Sequence, residues 1–296
     1  MTMQAIATTA PASAPVTIRV RRRRRLLVRN PLVLGGLVLA IFFFVVAVFA
    51  GVLAPADPIA MNTAGVLAGP SRAAPFGTDR FGRDVLSRAM FGARASLFVG
   101  VGSIAMAATV GTVIGLLSGY FGGPVDNVLG RVMDVFFTFP SLILAIAISA
   151  ALGLGTQNAL LAIAVTYWPV FGRVVRGATM AERSKDYVDA ARVVGASGLR
   201  VMRDHLLPNV LSPLIVQVTV AISQAIIIES SLSYLGLGTQ PPTPSWGTMI
   251  NEGRTFLDTA PWISVFPGVL MMGAVLAFNF LGDGLRDVLD PRSRSL

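Results

Sequence analysis

Residues 186–209 read DYVDAARVVGASGLRVMRDHLLPN, a charged and glycine-broken stretch between two long apolar runs. On insertion scales, each charged residue at the centre of a membrane helix costs about 2.5–3.5 kcal/mol. Together the charges exceed about ten kcal/mol before any pairing. We therefore expect this stretch to lie outside the bilayer while its neighbours cross it. The charges include Asp189, Arg192, Arg200, Arg203 and Asp204.

The remainder of the chain has the composition of a membrane protein. Hydrophobic residues make up 54% of the 296 residues and charged residues only 13%, against roughly 25% charged in a typical soluble domain. The apolar runs are continuous and about 20 residues long, which is typical of membrane-spanning helices and not of barrel strands. We expect an all-α integral membrane protein with six transmembrane helices, at residues 32–53, 95–118, 135–153, 158–176, 210–235 and 262–282.

The basic residues predict the orientation of these spans. With both termini in the cytoplasm, 18 of the 24 Lys and Arg residues lie inside and 6 outside, as the positive-inside rule requires. We expect residues 1–30 to form a basic, partly disordered cytoplasmic tail and residues 31–296 a transmembrane domain. Its extracytoplasmic loops are residues 54–94 and 236–261, and its cytoplasmic loop is residues 177–209.

Several local features carry their own expectations. Residues 84–96 have the spacing of a surface helix that leads into the second span, and the glycine-rich residues 118–131 predict a turn after that span. Pro140 should kink the third span because it lacks a backbone N–H. Small residues in the second span, among them Gly111 and Gly115, predict close helix packing.

Residues 181–207 predict two short helices separated by Gly195. We expect Ser197 to cap the second helix and Pro208 to end it before the fifth span. Val188, Ala191 and Val194 share one face of the first helix. Leu199, Met202 and Leu206 form a stripe on the second, where Arg200 and Asp204 are spaced to pair. Such a hairpin, with an apolar knob and charged flanks, suits docking into a groove on a partner; a surface hairpin without a partner is the alternative.

The same stretch resembles the cytoplasmic EAA loop of permease subunits of bacterial ABC importers. Asp189-Ala190-Ala191, Gly195 and Leu207-Pro208 match that pattern in order and spacing, with Asp189 in place of glutamate and His205 in place of isoleucine. Other segments are similar to the C-type permease subunit of the dipeptide, oligopeptide and nickel subclass: FGTDRFGRDVLSR (76–88), FPSLILAI (139–146), ESSLSYLGLG (229–238) and PSWGTMINEG (244–253).

This resemblance implies a type I ABC importer permease fold in a bacterial plasma membrane. It implies partners as well: a homologous second permease subunit, two ATP-binding subunits and an extracytoplasmic substrate-binding protein, in contact with membrane lipid. Short peptides are the implied substrate; nickel or another small solute is the alternative, and a membrane interaction protein without transport is the alternative class. The residues implied to couple the chain to its ATPases are Asp189, Ala190, Ala191, Gly195, Leu199, Leu207 and Pro208.

Two further groups of residues are candidates for function. Gln217, Gln224 and Ser231 repeat every seven residues along one helix face, and Glu229 is an intramembrane carboxylate, so these four are candidates for the substrate path. Hydrogen bonds between helices, or a bond that fixes the helix end before Gly236, are the alternatives. In loop 236–261, the candidates for docking a binding protein are Trp246, Met249, Glu252 and Arg254, and an ordered lid is the alternative. Trp246 and Trp262 are also placed like membrane-interface anchors.

The residue inventory argues against an enzyme. The chain has no cysteine, one histidine (His205) and one lysine (Lys185), and it lacks a phosphate-binding loop. We therefore expect neither a metal site nor a cofactor in this chain, with ATP and Mg²⁺ bound by the partner subunits. The net charge of +9 is explained by membrane topology, so no nucleic acid is expected.

Overall fold

The structure, a computed structural model, describes residues 31–289 as a bundle of helices. Within this range there is no β-strand, and one isolated bridge joins Thr78 to Asp84. The predicted cytoplasmic tail, residues 1–30, lies outside the described residues. The helices are α1 (Pro31–Val48), α2 (Ala50–Leu53), α3 (Val85–Phe121), α4 (Gly123–Phe137), α5 (Ser141–Leu152), α6 (Thr156–Arg183), α7 (Asp186–Val193), α8 (Gly198–Arg200), α9 (Leu207–Tyr234), α10 (Trp246–Gly253) and α11 (Trp262–Leu289).

Five helical segments of the described chain are long and apolar enough to cross a membrane. These are α1, α3, α6, the continuous stretch from α8 to α9, and α11. The pair α4 and α5 makes a sixth span if it is counted as one, although the two helices meet at 91°. The break lies at Pro140, which is extended (φ −57°, ψ 132°) and precedes the first residue of α5. The expected kink is therefore a break of the span, because proline removes a helical hydrogen bond.

The two ends of the bundle differ in what they carry. Residues 54–84 and 235–261 connect helices at one end, which we call the loop end. Residues 184–206 project from the opposite end, which we call the hairpin end. At the loop end, backbone hydrogen bonds join segments that are distant in the sequence. For example, Gly155 N donates to Leu237 O.

The predicted surface helix at 84–96 is wrong. Asp84 caps a single 37-residue helix, α3, and its carboxylate accepts a hydrogen bond from Ser87 N at 2.7 Å. Arg88 lies inside the protein with 2% of its surface exposed. Its charge is tolerated there because Asp79 and Glu252 lie beside it, which offsets the cost of burial.

The predicted turn at 118–131 is wrong beyond its first residues. The chain turns at Gly122, where φ is +65°, and α4 begins at once. Ion pairs hold α4 against α6: the Asp126 carboxylate accepts from Arg176 at 2.5 and 2.7 Å, and Asp134 from Arg173 at 2.5 Å. The glycines allow the chain to turn. The ion pairs with α6 hold the residues that follow the turn in helix α4.

Helices α3 and α6 pack closely along the small residues that the sequence predicts. A Cβ atom added at Gly111 would lie 2.5 Å from the carbonyl oxygen of Trp168, and one added at Gly115 would lie 2.6 Å from that of Gly172. Side chains larger than hydrogen would therefore push the two backbones apart. The small-residue face sets the distance between these helices.

Pro208 does not end the hairpin helix as predicted. Residues Val201–Leu206 form a π-helical segment that joins α8 to α9, and Leu207 N donates to Met202 O. Proline conflicts with an α-helix because it lacks an N–H and its ring meets the carbonyl four residues earlier. The wider π turn shifts bonding to a spacing of five residues, so the chain passes Pro208 without a break.

We predict that Gly115→Val destabilises the bundle by about 1–3 kcal/mol, the usual cost of overpacking. Because the clash involves backbone atoms, side-chain rearrangement cannot relieve it. The midpoint of thermal unfolding of the purified chain in detergent measures the effect. Gly177→Val is the matched control, since a Cβ at this α6 glycine would meet no atom within 4 Å. Equal midpoints for the two variants would contradict the role of the glycine face.

Candidate functional site

The hairpin that projects from the bundle has a tight turn at its tip. Gly195 ends α7 with φ at +89°, a conformation that glycine adopts at little cost. Its N–H donates to Arg192 O at 2.9 Å, and Ser197 then caps α8 by accepting from Arg200 N at 3.4 Å. The expected glycine turn and serine cap are both present in the structure.

One side of the hairpin is fastened to the bundle by an apolar cluster. Val188, Val201, Met202 and Leu206 are buried together and pack against Leu116, Leu117 and Tyr120 near the end of α3. Burying side chains of this size stabilises by about 1.5–3 kcal/mol each. The hairpin is therefore a firm extension of α3 and α9.

The other side exposes three large apolar side chains, which we call the ridge. Val193, Val194 and Leu199 are 87%, 88% and 73% exposed. The predicted stripe of Leu199 with Met202 and Leu206 is wrong, as is the shared face of Val188 and Val194, since Val188 is buried and Val194 exposed. Helix α7 ends at Val193, before Val194, and the π segment Val201–Leu206 changes the helical register after Leu199. Asp189 and Ala190 are also exposed, and Ala191 is half-buried beside them.

The charges of the hairpin pair locally. Asp189 accepts from Arg192 Nη1 at 3.0 Å, and Asp204 accepts from Arg203 Nε at 2.7 Å. The predicted pair of Arg200 with Asp204 is not formed, because the π-helical turn no longer aligns residues four apart. These exposed pairs contribute little to stability, so they serve mainly to flank the ridge with charge.

A hydrogen-bonded bracket joins the hairpin to two membrane helices. The Tyr187 hydroxyl donates to Glu182 Oε2 on α6 at 2.7 Å, and Asn209 Nδ2 on α9 donates to the Tyr187 oxygen at 3.2 Å. Partial burial and the neighbouring Glu182 carboxylate raise the pKa of Tyr187 to about 12, so the hydroxyl keeps its proton at neutral pH. The bracket makes Tyr187 the point where α6, α7 and α9 meet. The His205 ring lies beside it, with centroids 6.4 Å apart.

The predicted substrate-path residues Gln217, Gln224 and Ser231 lie along one partly exposed face of α9. Gln217 lines a cavity of about 840 Å³ at the hairpin end, whose rim includes Glu182, Lys185, Asp283 and Arg286. Gln224 is exposed, accepts from the Tyr167 hydroxyl at 3.1 Å and lines a different cavity. The three residues thus share a face, and two of them line separate cavities.

Glu229 is placed differently from the other three. It is fully buried, with Ser233 Oγ donating to Oε1 at 2.7 Å and Ser230 Oγ donating to Oε2 at 3.4 Å. Ser233 Oγ in turn accepts from Thr239 N at 3.1 Å. This placement favours the alternative reading, in which Glu229 fixes the end of α9 and the turn that follows it.

The predicted docking surface is wrong for two of its four residues. Trp246 and Met249 are buried, because α10 is inserted between α3, α9 and α11. The Trp246 indole donates to Ala89 O at 3.1 Å and packs edge-on against Phe43, so it is also no interface anchor. Trp262 likewise donates to Thr78 O at 3.1 Å. Arg254 is exposed, with its guanidinium over the Tyr234 ring.

Glu252 belongs to an ion cluster that the sequence reasoning missed. Its Oε2 accepts from Arg83 Nη2 at 2.9 Å and from Arg88 Nη2 at 3.0 Å. Asp79 Oδ2 lies 2.6 Å from Arg83 Nε and 3.4 Å from Arg88 Nε. The spacing of Asp79 and Arg83 in the sequence could have suggested one pair, whereas Glu252 is 164 residues from Arg88. The cluster ties the first loop, α3 and α10 together at the loop end.

Comparison with known proteins identifies the family. Residues 111–295 match the model of the binding-protein-dependent transport system inner membrane component, and residues 20–70 match the N-terminal transmembrane domain of oligopeptide transport permease C. The first match covers more than half of the chain. The chain belongs to this family. It is a multi-pass permease component of the inner membrane, as the EAA-like loop predicts.

Relatives align with most of its length. The dipeptide transport system permease protein DppC of Alkalihalophilus pseudofirmus is 43% identical over 90% of this chain and 88% of the relative. The di/tripeptide permease DppC of Pseudomonas aeruginosa is 43% identical, covering 88% of each chain. The glutathione permease GsiD of Pectobacterium atrosepticum is 44% identical over 77% of this chain and 75% of the relative.

A solved structure agrees with the architecture. A chain of the inward-facing MetNI methionine ABC transporter superposes with a TM-score of 0.55, covering 67% of this permease and 94% of that chain at 20% identity. This likeness confirms the predicted importer permease fold. The assignment of individual residues to coupling, substrate path and docking stays a prediction.

We predict that Asp79→Asn destabilises the permease by about 3–5 kcal/mol, the typical cost of leaving a buried charge without its partner. Two arginines would then share Glu252 alone. Thermal unfolding of the purified chain measures the loss. Asp258→Asn, at an exposed loop position, is the control and should change stability by less than about 0.5 kcal/mol. A wild-type midpoint for Asp79→Asn would contradict the structural importance of the cluster.

We also predict that Tyr187→Phe loosens the hairpin without unfolding the bundle. One hydrogen bond to a charged group contributes about 1.5–3 kcal/mol, so amides of residues 186–206 should exchange with deuterium at least about tenfold faster. Hydrogen exchange with mass spectrometry locates the change. Tyr234→Phe serves as control. Faster exchange spread evenly over α3 and α6, or none at all, would rule out a local bracket.

Proposed function

We propose that this permease forms half of the translocation path of an ATP-driven importer of short peptides, with a homologous second permease subunit forming the other half. The observation that carries the proposal is the ridge on the hairpin. Val193, Val194 and Leu199 are exposed to water, whereas the other large aliphatic side chains of the hairpin, Val188, Val201, Met202 and Leu206, are buried. Exposed apolar side chains grouped on a projecting turn are typical of a docking surface.

The partner at the ridge is an ATP-binding subunit. Full burial of side chains of this size contributes about 1.5–3 kcal/mol each, enough for a stable contact when a groove covers them. Ala190 and Ala191 are small, which lets the partner approach α7 closely, and Asp189 with Arg192 can orient it. ATP and Mg²⁺ bind to two such subunits, since this chain has one lysine and no phosphate-binding loop.

The hairpin transmits motion because it is rigidly connected. The apolar cluster holds it to α3, and the Tyr187 bracket holds it to α6 and α9. When the ATP-binding subunits close, a displacement of the ridge therefore moves three membrane helices together. In the proposed orientation the hairpin end faces the cytoplasm, and closure opens the path to the opposite side.

The substrate path follows the partly exposed face of α9. Gln217, Gln224 and Ser231 present uncharged hydrogen-bonding groups along it, which suits the amide groups of a peptide. The relatives named above carry dipeptides, di- or tripeptides and glutathione by their names, and all of these are short peptides. A substrate-binding protein delivers the peptide at the loop end, where exposed Arg254 remains available for contact while Trp246 is not.

We predict that the double change Val194→Asp with Leu199→Asp lowers ATP-dependent peptide uptake at least about tenfold. Burying an uncompensated carboxylate costs well over 1.4 kcal/mol, the equivalent of a factor of ten. Uptake of a radiolabelled dipeptide into cells that express the assembled transporter is the measurement. Met61→Asp, at an exposed apolar position outside loop 236–261, is the matched control.

The same uptake assay tests separately whether the ridge docks the ATP-binding subunits and which substrate the transporter carries. Normal uptake by the double variant, with ATP-binding subunits still copurifying, would contradict the ridge as the docking surface. Competition by unlabelled dipeptides but not by Ni²⁺ is expected. Competition by Ni²⁺ alone would instead support the alternative substrate while leaving the importer mechanism intact.

A further inference from the structure

An apolar groove of about 390 Å³ runs along the surface of the bundle between α1 and α3. Its walls are aliphatic and aromatic, with Phe44 and Val48 from α1, Leu97, Phe98 and Val101 from α3, and Phe278 from α11. One charged residue, Arg94, lines it. We propose that this groove binds an acyl chain of an anionic phospholipid whose phosphate pairs with Arg94.

Arg94 lies in the part of α3 that is near the loop end. Arg94 directly precedes a run without any charged residue, which extends to Asp126. The guanidinium therefore lies where the hydrocarbon layer meets the headgroups, towards the loop end of the bundle. Arginine side chains at such a level extend to the interface and keep their charge in the polar layer.

Arg94 differs from the two arginines that precede it, one in the first loop and one on α3. Arg83 and Arg88 are buried and paired with Asp79 and Glu252. Arg94 is exposed and forms no ion pair with any residue in the described part of the chain. The described part of the chain therefore supplies no counterion for Arg94, and a phosphate that accepts two parallel hydrogen bonds suits a guanidinium.

The surface around the groove has the exposed apolar side chains that are typical of a lipid-facing surface. Helix α1 exposes large apolar side chains around most of its circumference, and only 22% of its span is buried. Phe44 and Phe98, on opposite walls of the groove, are 63% and 61% exposed. Such a helix faces acyl chains. A molecule with an apolar chain below and a phosphate above fits both parts of the site, whereas a soluble anion fits only the arginine.

The charge of the lipid headgroup should decide which phospholipid the groove prefers. A basic residue close to anionic lipid contributes about 1 kcal/mol, which corresponds to about fivefold in occupancy. A zwitterionic phosphatidylcholine carries a compensating ammonium group, so it gains less from Arg94. The groove walls contribute equally to both lipids because their acyl chains are the same.

Photocrosslinking tests the proposal on the full-length permease, purified with its partner subunits and reconstituted in nanodiscs. The probes are phosphatidylglycerol and phosphatidylcholine that carry one photoreactive acyl chain. We expect phosphatidylglycerol to label the peptide around Phe98 and Val101 about fivefold more than phosphatidylcholine. Arg94→Gln should reduce the label to the phosphatidylcholine level. Arg72→Gln, at an exposed loop arginine, should leave it unchanged.

A second variant tests the groove without touching the charge. Val101→Phe fills the groove and should lower labelling by both lipids, whereas Val38→Phe, at an exposed α1 position outside it, should not. If Arg94→Gln does not assemble, the wild type still decides, because added salt should reduce the excess of phosphatidylglycerol. Equal labelling by both lipids, or a partner subunit crosslinked over the groove in place of lipid, would overturn the proposal. Peptide uptake plays no part in this readout.

Discussion

The cost of placing charge in a low-dielectric environment determines most of this structure. A charged residue is stable outside the bilayer or beside a partner that offsets its desolvation. The hairpin is expected to take the first course, because its arginines and aspartates precede the apolar run that begins at Val210. Arg88 takes the second, because Asp79 and Glu252 approach it inside the protein. Arg94 has neither within the described chain, which is why a lipid phosphate is its expected partner.

One side of the hairpin packs against the bundle, and the other side is exposed. Its inner side is held by an apolar cluster and by the Tyr187 bracket, while Val193, Val194 and Leu199 face water. The π-helical segment keeps α8 and α9 continuous past Pro208, so a continuous helical backbone joins this arm of the hairpin to a membrane-spanning helix. Such a connection suits the proposed function, in which motion of another subunit is passed to the bundle.

The loop end is more ordered than its glycines and prolines suggest. The ion cluster of Asp79, Arg83, Arg88 and Glu252 lies next to the buried Trp246, and the Glu229 carboxylate fixes the end of α9 through Ser233. Trp246 and Glu252, which resembled surface elements, are therefore packed or ion-paired in this structure. In the proposed function, the binding protein meets exposed side chains such as Arg254, and the substrate follows Gln217, Gln224 and Ser231.

The sequence by itself determined that the chain is built from long apolar helices, that the hairpin turns at Gly195, that α3 has a glycine face, and which family the chain belongs to. These follow from hydrophobicity, charge and spacing, which are local properties of the chain. Only the tertiary structure decided that Arg88 and Trp246 are buried, that Leu199 faces away from Met202, and that α4 is a helix. Each of these depends on a partner distant in the chain or on a change of helical register. A local sequence pattern indicates the free-energy cost of burying a residue by itself. Only tertiary packing brings together the groups that change this cost.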